Sequence, residues 1–124
     1  MNQHHLFVYG TLLSTFAPSP WLAGHHRVAA YIRGSLYHLP AGYPALALSG
    51  QQQVFGELVD PVDQRVLLLL DQYEGVSEGL FERRLVDVTV GLRTMAAWAY
   101  VMDNPKHRGG RPVPSGRWRP MGRR

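Results

Sequence analysis

Asp71 and Glu74 stand three residues apart in Asp71-Gln72-Tyr73-Glu74-Gly75-Val76, directly after the apolar run Val66 to Leu70. On a helix, residues three apart share a face. Gly75 reads as the helix stop, because glycine takes the left-handed closing conformation at no steric cost. A helix C-terminus carries partial negative charge and favours Lys, Arg or His. Two carboxylates there break that rule. Three effects push Glu74 the same way: the negative helix end, the neighbouring Asp71, and an apolar flank that withdraws it from water. Each favours the protonated form. A carboxyl shifted toward neutral pH suits general acid–base chemistry. The plainer alternative is that Asp71 and Glu74 pair with Arg83 or Arg84 of the next segment.

A second stretch, Phe7-Val8-Tyr9-Gly10-Thr11-Leu12, is an apolar run ended by glycine. A strand that stops in this way exposes consecutive backbone N–H groups in the turn, and such groups can cradle an anion or a developing oxyanion. Thr11 adds a hydroxyl and Tyr9 a phenol. Taken alone, the stretch is equally an ordinary strand running into a turn.

Other chemistries find no support. There is no cysteine, hence no disulfide, thiol nucleophile or zinc-thiolate site. His4 and His5 are adjacent on a predicted strand and point to opposite faces. His25 and His26 fall in a predicted loop, and His38 and His107 are isolated. No His-x-x-x-His pair or His/Asp cluster has metal-ligand spacing, so no metal site is expected. Ser35, Ser49 and Ser77 have no adjacent base, and no glycine-rich phosphate loop or nucleophile elbow is present.

The elements that must position these residues are short. Residues 6–9 read as a buried strand, and 13–24, with Pro18, Pro20 and Gly24, as a loop. Residues 28–39 read as a strand bulged at Gly34. Residues 43–48 and 53–59 read as two more strands, separated by Ser49-Gly50 and a polar triplet. Asp60 as N-cap, Pro61 at the first helical position and Asp63 in the first turn predict one helix running to about Glu74. Its interior is apolar nearly all round, which predicts packing on more than one side. Residues 81–90 and 94–102 read as an antiparallel pair joined through Gly91. Four strands, one buried helix and two strands predict an α+β domain with a small, mixed, barrel-like sheet.

The 124 residues are enough for one domain with a real core. No apolar run approaches the roughly 20 residues of a membrane span, and no charged-then-apolar leader is visible. A soluble, cytoplasmic protein is expected. The formal charge of +4 conceals an asymmetry: through Asp103 the net is −3, and the remainder carries +7 with no acid. The chain therefore divides into a domain of residues 1–103 and a basic arm of residues 104–124, in which eight of 21 residues are Gly or Pro. That arm is either disordered or pinned by Trp118. Its arginines could meet nucleic acid or an acidic partner, although no recognition fold accompanies them. The oligomeric state is not legible.

Together, Phe7 to Leu12, Gly42-Tyr-Pro-Ala-Leu46, Val54-Phe-Gly-Glu-Leu58, Leu69-Leu-Asp-Gln-Tyr-Glu-Gly75 and Ala99-Tyr-Val-Met102 occur in the order seen in the γ-glutamylcyclotransferase-like superfamily. The Tyr-Gly-Thr-Leu form resembles its AIG2-like, γ-glutamylamine cyclotransferase branch. The resemblance spans residues 6–102, and Val113 to Trp118 is similar to a motif near the end of some bacterial members. It implies a small barrel with Glu74 as catalytic acid/base, and a turn Tyr9-Gly10-Thr11-Leu12 that binds the γ-glutamyl part of a small-molecule substrate. The implied reaction is an intramolecular aminolysis that releases 5-oxoproline from a γ-glutamyl amine or amino acid. It needs no cofactor. Phe81 stands where members commonly have Tyr, Leu13 to Phe16 where a basic residue and a glycine often follow, and Arg117 where Asp is usual. A non-catalytic module binding a small anion on the same fold is the alternative, with nucleic-acid association through the arm as the third reading.

Overall fold

The computed structural model describes residues 3–10, 22 and 25–120. Its elements are β1 (Gln3–Val8), β2 (His26–His38), β3 (Pro44–Asp63), α1 (Gln64–Tyr73), β4 (Glu82–Val90), β5 (Arg93–Val101) and β6 (Arg111–Pro112). Short 3-10 turns lie at Val76–Glu78 and Pro105–Arg108. The fold is α+β. The sheet runs β3-β1-β5-β4-β2-β6, and β2 also pairs with β3, so five strands form a closed ring. The β1–β5 seam is parallel and rests on Leu6 opposite Trp98. The β2–β4 seam rests on Tyr31 opposite Thr89. With seams this narrow the ring is barrel-like, not a uniformly bonded barrel.

Alternation along β1 divides the interior, because successive side chains point to opposite faces. Leu6 and Val8 join the core against the helix, with Val59, Val62, Leu67 and Leu70. Phe7 and Tyr9 join the second core inside the ring, with Ile32, Leu46, Val54 and Trp118. β1 therefore needs apolar residues on both faces, which is why its sequence is an unbroken apolar run.

The strand and helix boundaries differ from the sequence expectation in two places. The two strands expected at 43–48 and 53–59 are one strand, β3. Opposite Gly34 and Ser35 of β2 lie Gln52 and Ala47, so Leu48 to Gln51 are looped out within a single strand. The Ser35 hydroxyl donates to the Ser49 carbonyl at 2.8 Å and holds that bulge. The polar stretch marks an insertion in the ladder, not a break between strands. The helix also begins later than expected. β3 continues through Asp63 because Val62 is fully buried and opposite His4 in the β1 ladder. Asp63, not Asp60, is the N-cap, accepting from the Val66 N–H at 2.9 Å. Asp60 instead lies 3.2 Å from the His5 ring nitrogen, and the Asp60–Pro61 bond is cis.

The helix packs along one stripe, Leu67 and Leu70, while Leu68 and Leu69 stay 53% and 38% exposed. Its apolar run had predicted burial on more than one side; a single ring of strands offers it only one. The β4–β5 hairpin turns at Gly91, as expected. Beyond it, residues 104–120 lie along the ring. β6 pairs with Tyr37 and His38, the Val113 N–H donates to the Leu36 carbonyl at 2.8 Å, and the Phe55 N–H to the Gly116 carbonyl at 2.8 Å. Trp118 is buried, and its indole N–H donates to His38 Nδ1 at 3.0 Å.

Candidate active site

A cavity of about 290 Å³ opens where the end of β1, the start of β3, the end of α1 and β5 meet. It is lined by Phe7, Val8, Tyr9, Gly10, Tyr43, Pro44, Tyr73, Glu74, Leu80, Phe81 and Tyr100. Glu74 and Gly10, 64 positions apart in the chain, thus share one hollow.

Glu74 is placed by the helix terminus. It is the C-cap residue, with its N–H donating to the Leu70 carbonyl at 2.8 Å. Gly75 follows at φ +68°, a left-handed conformation that reverses the chain after the last turn. The Glu74 carboxyl makes no hydrogen bond or ion pair among the described residues and is half-buried at the cavity wall. Withdrawal from water raises its pKa from 4.5 to about 7. Burial is the cause; Asp71, expected to contribute by repulsion, is otherwise engaged. Burial opposes ionisation of Asp71 too, but hydrogen bonds from Arg83 and Tyr100, with the Arg83 charge, outweigh it and hold that carboxyl below its ordinary range. Arg83 donates through Nε to Asp71 Oδ1 at 2.7 Å and through Nη2 to Oδ2 at 3.0 Å. The two acids that the sequence places on one face therefore part company: Asp71 binds arginine, Glu74 meets the cavity.

Tyr9 and Gly10 form the facing wall. The Tyr9 hydroxyl donates to the Tyr100 carbonyl at 2.7 Å and accepts from the Leu46 N–H at 3.2 Å. It stitches the end of β1 to β5 and β3. Gly10 is glycine for a steric reason. A Cβ there would run into the Pro44 ring, so the proline of Tyr43-Pro44-Ala45 leaves room only for glycine at this position. Thr11 and Leu12 lie outside the described residues.

Tyr43, Pro44, Tyr73, Leu80, Phe81 and Tyr100 complete the cavity, and none stood out as a candidate from residue type alone. Tyr100 carried a signal: a phenol in the apolar strand Ala99-Tyr100-Val101 must find a partner when buried. Phe81, where a phenol had been the family expectation, packs on Tyr43 with ring centroids 6.1 Å apart and makes that wall apolar. Glu74 is the one charged residue among the described lining residues, and no described His, Asp or Glu set could hold a metal ion. What the arrangement offers is one proton-carrying carboxyl near neutrality in a mostly aromatic hollow sized for a small molecule.

Comparison with known proteins agrees with this architecture. The family model for gamma-glutamyl cyclotransferase, AIG2-like proteins matches residues 6–120. No curated protein matches in sequence. Among solved structures, YkqA from Bacillus subtilis superposes with a TM-score of 0.74 at 25% identity. The match covers 94% of this chain and 39% of that one, so the chain spans about two fifths of the Bacillus protein's length. A mouse AIG2-like protein superposes with a TM-score of 0.73 at 20% identity over 100% of both chains. A gamma-glutamyl cyclotransferase does so with a TM-score of 0.69 at 17% identity, over 83% of this chain and 68% of that one. No described helix is long and apolar enough to cross a membrane. With a family match running from β1 to Pro120 and the same fold in these structures, the chain belongs to the gamma-glutamyl cyclotransferase, AIG2-like family.

Proposed function

We propose that this protein converts a γ-glutamyl amine or γ-glutamyl amino acid to 5-oxoproline and the free amine, with Glu74 as proton carrier. The observation that carries the reading is Glu74 itself: a carboxyl with a pKa of about 7, without a partner among the described residues, on the wall of a cavity it shares with Gly10.

The nucleophile is the substrate's own α-amine, so the protein's tasks are positioning and proton transfer. Holding the chain folded, with the amine near the γ-carbonyl carbon, supplies much of the acceleration; a small, largely aromatic hollow suits that task. The α-ammonium gives a proton to the Glu74 carboxylate, and the freed lone pair attacks the γ-carbonyl carbon. The new C–N bond closes the five-membered ring. The nitrogen sheds its second proton as it becomes the lactam N–H, and the old C–N bond breaks. The leaving nitrogen takes up two protons and departs as an ammonium, with Glu74 passing them in turn. Backbone N–H groups of the turn entered at Gly10, with Thr11 and Leu12, would meet the substrate carboxylate or the developing oxyanion.

The test is incubation with a panel of γ-glutamyl amines and amino acids, with 5-oxoproline as readout. Wild type releases 5-oxoproline from at least one compound, and Glu74→Gln, which keeps the shape and loses the proton carrier, releases none above background. Equal turnover by the variant removes Glu74 from the mechanism.

A further inference from the structure

Tyr100 is the cavity residue with the most elaborate support behind it. It is only 3% exposed, and its hydroxyl lies 2.7 Å from Asp71 Oδ1 and 3.4 Å from the Leu67 carbonyl. An ionised carboxylate has no hydrogen to give. The phenol is therefore the donor, and its hydrogen points away from the cavity, toward the helix. Arg83 grips both oxygens of Asp71 and lies 4.6 Å over the Trp98 ring, so neither partner of the pair is free to swing. The phenolic oxygen keeps its lone pairs. It also lies close enough to Glu74 for that charge to oppose its ionisation.

We propose that Asp71 and Arg83 are positioning residues that lock the Tyr100 hydroxyl with its hydrogen on Asp71, so that its oxygen meets the substrate as a hydrogen-bond acceptor for an N–H group. The inference rests on the reading of Glu74 given above and adds the group that aims the amine. An ammonium has three hydrogens to place. Glu74 is the one charged acceptor among the described lining residues, and the Tyr9 hydroxyl is committed to backbone. A second acceptor of fixed direction on Tyr100 holds one N–H of the ammonium, so the nitrogen can turn only about that one axis. The nitrogen sheds a proton to Glu74, and a turn about its N–H···Tyr100 hydrogen bond then swings the freed lone pair from Glu74 onto the γ-carbonyl carbon. Burial, the Asp71 hydrogen bond and the Asp71 charge all drive the phenol's pKa far above its ordinary value, so Tyr100 gives no proton to the reaction.

The test is a double-mutant cycle on kcat/KM for 5-oxoproline release, using Tyr100→Phe, Asp71→Asn and the pair. Tyr100→Phe removes one hydrogen bond to a charged group and lowers kcat/KM by about ten- to a hundredfold. Asp71→Asn alone causes a fall of similar size, but in the Tyr100→Phe background it costs less than about twofold more, because it acts through the missing hydroxyl. Arg83→Lys keeps the charge and loses the two-pronged grip. Its smaller fall also vanishes in the Tyr100→Phe background, which provides the reading should Asp71→Asn not fold. Additive losses, or a Tyr100→Phe protein with wild-type kcat/KM, overturn the inference while 5-oxoproline is still released. A wild type that releases none removes the Glu74 reading, and this inference with it, so the two failures are told apart.

Discussion

Glu74→Gln should make the folded protein more stable, and the gain should depend on pH. The wild-type carboxyl has a pKa of about 7 in the folded state against an ordinary value of 4.5. The sign follows from proton binding. Between those two values the folded chain holds a proton that the unfolded chain has released, so stability falls as pH rises through this window. Each tenfold change in proton affinity is worth about 1.4 kcal/mol, so carrying the ionised carboxylate above pH 7 costs the fold about 3 kcal/mol. Water reaching the half-buried group through the cavity mouth lowers the expected figure to about 2 kcal/mol. Glutamine keeps the volume and never ionises. Urea denaturation of both proteins across the range should show near-equal stability at the acid end, a difference opening as pH rises, and a plateau above about pH 7. A difference that does not vary with pH would refute the burial argument. So would a variant less stable than wild type on the alkaline side.

Three further expectations follow from the same geometry. The profile of kcat/KM against pH should rise with an inflection near 7 as Glu74 becomes the carboxylate that accepts the substrate's proton, and a profile flat through that range would exclude Glu74 as the base. Gly10→Ala drives a methyl group into the Pro44 ring; thermal denaturation should show a loss of about 1–3 kcal/mol, and an unchanged midpoint would mean that Pro44 leaves room for more than glycine there. Trp118→Ala should cost about 3–5 kcal/mol in urea denaturation, because the indole belongs to the core inside the ring, whereas a residue on a loosely attached arm would cost almost nothing.

What could be read in advance, and what could not, divides along a physical line. Local signals were sufficient where the deciding interactions are local. Gly75 closes the helix, Gly91 turns the last hairpin, and the ladder does shift register at Gly34, although the looped-out residues lie opposite it in β3. They failed where distant strands decide. Asp60-Pro61 makes a good helix start on paper, yet the pairing of His4 with Val62 holds that segment extended and moves the cap to Asp63. Ser49-Gly50 resembles a turn, yet β2 runs past it on one continuous partner. The site behaved in the same way. An acid at the wrong end of a helix was visible without a structure. Its separation from Asp71 was not, because that depends on Arg83 arriving from β4 with the geometry to bind both oxygens. Tyr43, Phe81 and Tyr100 are ordinary strand and loop residues until the ring brings them to one wall.

The parallel seam between β1 and β5 has a bearing on how the molecule is made. During synthesis β1 leaves the ribosome first, but its neighbour across that seam, at Trp98, follows about 90 residues later. Contacts between such distant positions are slow to form, since a long loop must close before they are rewarded. The nascent chain can settle β2 against β3 and wind the helix while its opening strand waits on one side for a partner. Tyr9 and Gly10 sit at the end of that strand, so the hollow they share with Glu74 is completed only when translation has passed β5.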